Sequence, residues 1–232
     1  MFVKIVTSAV FAGFAAGLTA AVLQLLFLQP VLLHAELYES GALVHFGATG
    51  PVSADPDLGG IDFARDALSV LFTLLTYTGY AFVLVALMVL AGERGVIVNA
   101  RAGLIWGAAG FIAVQLAPSV SLPPLLPGAA AAEVVPRQIW WVSTIVATAI
   151  AMALIGFGKS WGAWAAAAAL LLAPHLFGAP QPAQFYGPVP PELGSLFAAR
   201  VLGVGMAAWV LLGLACGWFV SRDIAARPAK PA

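Results

Sequence analysis

Charge is scarce in this sequence: Lys, Arg, Asp and Glu make up 9% of 232 residues, and ten basic side chains balance ten acidic ones to a formal net charge of zero. With no net positive field and no basic cluster, the chain offers a polyanion no electrostatic footprint, which excludes nucleic acid as a partner. Cysteine is scarcer still. Cys216 is the single thiol, so neither an internal disulfide nor a multi-thiolate metal centre can form within the chain, and its apolar surroundings give it a packing role. There is no HExxH, no CxxC and no His-rich tract. Metal chemistry therefore has no spacing signature here.

Nucleotide chemistry lacks its signatures as well. Gly158, Lys159 and Ser160 imitate the end of a phosphate-binding loop, but Ala153 stands where the first glycine is required. Gly203, Gly205 and Ala208 imitate a dinucleotide fingerprint inside an apolar run, where no strand-to-helix turn is expected. An intramembrane enzyme would need a nucleophile with a base, or several ligands, converging at membrane depth. No such set is visible, so an enzyme is the least favoured reading and no resident cofactor is expected.

What the chain has in abundance is hydrophobicity: 62% of its residues are apolar, with a mean hydropathy of +1.00. The bilayer is its expected solvent. A spanning helix needs about 20 mostly apolar residues, and the runs predict an all-α, polytopic membrane helix bundle of about six transmembrane helices. The spans are 5–33, 67–91, 102–120, 138–157, 158–177 and 196–220, the fifth built on a short run from Trp161 to Pro174. The first run shows no convincing small-residue cleavage site, so it is read as a retained helix rather than a removed signal peptide.

Charge supports six spans with both termini cytoplasmic, because short cytoplasmic loops collect Lys and Arg. That arrangement puts Lys4, Arg94, Arg101, Lys159, Arg222, Arg227 and Lys230 inside, the last three in a tail over 221–232, and Arg65, Arg137 and Arg200 outside. Dropping the fifth span would reverse the majority. Trp140, Trp141, Trp161 and Trp218 then fall near membrane interfaces, where Trp is favoured. Three GxxxG pairs, Gly13/Gly17, Gly103/Gly107 and Gly213/Gly217, predict close helix contacts, either within one chain or between copies in a homo-oligomer.

The same topology makes the outer face anionic. A long outer loop over 34–66 carries most of the acids, among them Glu36, Glu39, Asp55, Asp57, Asp62 and Asp66. The three histidines, His34, His45 and His175, also fall outside. Imidazole with carboxylate suits borderline divalent metals such as cobalt, nickel or zinc. His34, Glu36 and Glu39, close in sequence, together with His175 after Pro174, where the fifth helix is expected to break, are the candidate metal ligands. A histidine read alone is more often an interfacial side chain, the reading His45 keeps, while His34 with Glu36 and Glu39 is balanced between the two. By contrast, the inner halves of the spans, such as 81–91 and 149–157, contain no charged residue, histidine or amide to replace a metal's lost water.

Three stretches carry a family likeness: Pro30-Val31-Leu32-Leu33-His34-Ala35-Glu36-Leu37-Tyr38-Glu39, the run from Arg101 through Ala117 and Pro118 to Gln138, Trp140 and Trp141, and Pro174-His175-Leu176-Phe177-Gly178-Ala179-Pro180-Gln181-Pro182. The chain resembles the CbtA family of probable cobalt transporter subunits, the last stretch most specifically. The resemblance implies a multi-pass protein of the bacterial inner (plasma) membrane, embedded in lipid, that takes up cobalt or another divalent metal as substrate for cobalamin synthesis. It also implies a small single-span partner subunit with a His-rich motif. The family is usually described with five membrane segments, one fewer than the six read here. The alternative from composition and glycine pairs alone is a non-transporting membrane scaffold.

Overall fold

In a computed structural model, residues 2–47 and 52–225 are described, and among them every regular element is helical. Arg227 and Lys230, with the end of the expected tail, lie outside the described residues. Among the described residues five helices are long and apolar enough to cross a membrane: the first, Val3–Glu39; the second, Phe63–Glu93; the third, Ala100–Ser121; the fourth, Val134–Phe157; and the sixth, Pro191–Arg222 within Pro191–Ala225. The fifth, Trp161–Phe177, has 17 residues. At about 1.5 Å per residue it reaches about 26 Å, just short of a hydrocarbon core of about 30 Å. The outward-facing positions are apolar, as at Phe11, Phe72, Ile105, Ile139 and Leu172, where a helix in water would be polar.

Helix boundaries depart from the hydropathy reading at proline. The first helix runs six residues beyond Leu33 to Glu39, so His34, Glu36 and Glu39 are helical rather than in a loop. The fifth does not break at Pro174; it continues to Phe177 and ends where Gly178 takes φ +81° and returns its N–H to the Pro174 carbonyl. Proline removes a backbone donor and crowds the carbonyl one turn back. In the first helix a π turn at Gln24–Leu28 precedes Pro30, and in the third a π turn at Ile112–Leu116 precedes Pro118. In each, the wider turn carries the helix past its proline. The second helix starts on Asp62, whose Oδ1 accepts from the N–H groups of Ala64 and Arg65, both at 3.1 Å.

The chain divides into two compact units. One comprises the described parts of 1–24, 61–111 and 204–232. In it the first and second helices run antiparallel, Gly13 against Thr78 and Gly17 against Leu74. The third and sixth helices cross on glycines from both sides: a methyl group added at Gly103 would meet the Gly213 carbonyl, and one at Gly217 the Asn99 carbonyl. The GxxxG pairs thus serve contacts inside the chain, backbone on backbone. The other unit comprises the described parts of 25–60 and 112–203. Its apolar centre is Val31, Ala35, Leu126 and Phe197. Arg200 reaches the Phe27 carbonyl at 2.9 Å, and the loop after the third helix joins the loop after the fifth through Ala130 N–H to Tyr186 O, 3.0 Å.

Candidate metal-handling site

All four candidate ligands fall in the second unit, at the helix ends and loops just described. His175 is the best connected. It lies in the last turn of the fifth helix, half-buried, with Nδ1 2.8 Å from the Ser121 hydroxyl at the end of the third helix. Trp140 of the fourth helix sets its ring edge-on to the imidazole, centroids 6.0 Å apart, and gives its indole N–H to the Pro174 carbonyl at 3.1 Å. Gln181 closes the group by donating to the Ser121 carbonyl. Three helices thereby hold one ring, and the hydroxyl engaged on Nδ1 leaves Nε2 as the nitrogen with which the side chain can take a proton or a metal.

His34 is held differently. It is buried at 7% exposure, stacked on Tyr38 one turn along, and its Nε2 has no partner. Glu36 and Glu39 are exposed. Two residues along a helix is nearly opposite in direction, so the continuation of the helix to Glu39 turns Glu36 away from His34. Glu39 instead lies beside Gly128 and near the Pro188 loop. Among the described residues no three His, Cys, Asp or Glu side chains come together as a group that could hold a metal ion. The four candidates share a unit but not one coordination sphere.

A family model described as probable cobalt transporter subunit (CbtA) matches residues 2–221. The chain belongs to the CbtA family. No curated protein and no solved structure matches it. As a CbtA chain it is one subunit of a transporter by description, and its apolar helices fit a multi-pass membrane protein. The segment that most specifically carries the resemblance, Pro174 to Pro182, is also the one that supplies His175, the Pro174 carbonyl and Gln181 to the cluster. Ser121 is not singled out in the sequence and Trp140 reads there only as an interfacial and family residue, because they lie 54 and 35 positions from His175. Only the helix packing brings them near.

Proposed function

We propose that this CbtA chain is the membrane subunit of a cobalt uptake transporter in the bacterial inner membrane, feeding cobalamin synthesis. The family match across 2–221, on a chain with five membrane-length helices, is the observation that carries this reading. The Lys/Arg bias favours cytoplasmic termini and an external segment 34–66, made of the two helix ends and the loop that joins them. On that side His34, Glu36, Glu39 and His175 receive the ion in succession, the exposed carboxylates attracting it and the imidazoles exchanging for its water. A small single-span subunit with a His-rich motif completes the path. Supporting a partner are the family's description as a subunit and the inner halves of the spans, such as 81–91 and 149–157, which carry no ligand side chain.

Radiolabelled cobalt uptake, against nickel and zinc, in cells deprived of other routes tests the reading. Accumulation that needs this chain and favours cobalt is expected; cobalt-independent behaviour would overturn it. Orientation is tested by labelling a cysteine placed at Ser53 in a Cys216→Ala background. Labelling in intact cells is expected, and labelling only after permeabilisation would reverse the topology.

A further inference from the structure

Every other threonine in the described helices has its hydroxyl within hydrogen-bond reach of the carbonyl four residues back: Thr7, Thr19, Thr73, Thr76, Thr78 and Thr144, with Thr73 sharing its one proton between that carbonyl and Gln24 Oε1. Thr148 does not. It is 1% exposed and its Oγ1 has no partner. Gln115, in the π turn of the third helix, likewise holds a buried Oε1 without a donor. That π turn packs against the fourth helix, which carries Thr148.

The His175 cluster sets the level of both. Ser121 and Trp140 touch His175 from the third and fourth helices, and both helices run away from that cluster. Gln115 is six residues from Ser121 and Thr148 eight from Trp140. At about 1.5 Å per residue the drops are about 9 Å and about 12 Å, a difference of less than one turn. The residues that carry these two buried, unpaired oxygens therefore lie within one helical turn of each other in depth below the imidazole, on elements that pack together.

We infer that Gln115 and Thr148 form a second station on the ion's path, a neutral oxygen site for a divalent cation that keeps part of its water shell. The inference rests on the transporter reading above. A hydrated cation presents only O–H donors, which an amide carbonyl and a hydroxyl oxygen both accept. Neutral oxygens also hold such an ion weakly enough to release it, which conduction between successive sites requires. A carboxylate at this depth would trap it. Native folds rarely leave such atoms bare, because an unmet buried acceptor is a net cost.

The test compares Thr148→Val, Gln115→Leu and Thr148→Ser with Thr144→Val, whose parent hydroxyl is already bonded. Cobalt uptake is expected to fall about tenfold in Thr148→Val and Gln115→Leu, to survive in Thr148→Ser and Thr144→Val, and melting in detergent is expected to stay level or rise in the first two. Wild-type uptake in both would mean that structural water alone fills the site and would overturn the inference. If the wild type itself takes up no cobalt, the transporter reading fails separately. Melting of the purified full chain with cobalt chloride then decides: protection of the wild type but not of the two variants supports the station, while equal protection of all three, or of none, overturns it.

Discussion

In the first helix a π turn sets Gln24 between Ser69 and Thr73, donating to the one at 2.7 Å and accepting from the other at 3.0 Å; in the third, the same kind of turn leaves the carbonyl oxygen of Gln115 buried and unpaired. Both turns precede a proline by two residues, so the local cause is shared. The difference lies in the neighbour. It extends to the units to which the two glutamines belong. Among the described residues, buried unpaired atoms on His34, Gln115, Arg137 and Thr148 all lie in the second unit, against Trp209 in the first. The first unit instead holds the glycine crossings. Close backbone packing with spent polar groups makes a frame; polar atoms kept free are what the proposed path would use as a surface for a passing ligand.

The comparison is most sharply tested at the crossing of the third and sixth helices. A side chain at Gly213 meets the Gly103 carbonyl and the Gly107 backbone, neither of which yields as a flexible side chain would. Gly213→Val is expected to cost about 3 kcal/mol or more and to lower the detergent melting temperature sharply. Gly203→Val, in the same helix, adds its side chain to open space and should leave melting unchanged or raised. Equal tolerance at both positions would mean that the first unit is no tighter than the second.

A smaller effect separates the two glutamines directly. Gln24→Leu removes both side-chain bonds and leaves the Ser69 hydroxyl without its donor, a loss of about 1–2 kcal/mol. Gln115→Leu removes an oxygen that has no partner, so the fold should lose nothing and the variant serves as a baseline. Thermal melting of the two purified variants gives the order, and a more damaging Gln115→Leu would reveal an unseen bond and cancel the contrast.

Hydropathy made the helices legible because burial in lipid demands long apolar runs, and the cores of 67–91, 102–120 and 138–157 all lie within observed helices. Their ends were less legible. Residues 34–39 are polar enough to read as loop, yet no breaker interrupts them, and Val31, Ala35 and Tyr38 bury one face at helical spacing. That continuation undoes the apparent proximity of His34 to Glu36. The site itself was half visible: His175 and its flanking prolines stand out in a chain poor in polar residues, whereas Ser121 and Trp140 meet it only through tertiary packing. The free oxygens of Gln115 and Thr148 had no signal at all, since identical residues elsewhere in the chain are paired.

The least disruptive change is Ser121→Ala, which removes one part-buried hydrogen bond and should cost under about 1 kcal/mol. Its functional effect should be out of proportion. Without the hydroxyl, nothing engages His175 Nδ1, so the ring can exchange which nitrogen carries the proton, and its free nitrogen is no longer fixed in one direction. The concentration of cobalt giving half-maximal uptake should rise about tenfold, in line with losses on removing a group that orients a ligand, while maximal uptake at saturating metal holds. Ser121→Thr keeps the hydroxyl and should restore the low-metal rate. A purely structural contact predicts the opposite pattern, a change in melting with no change in apparent affinity. That outcome would make the Ser121–His175 pair the counterpart of Gln24 with Ser69 and Thr73, another spent polar group, and would erase the distinction between a frame and a working surface at the residue where it matters most.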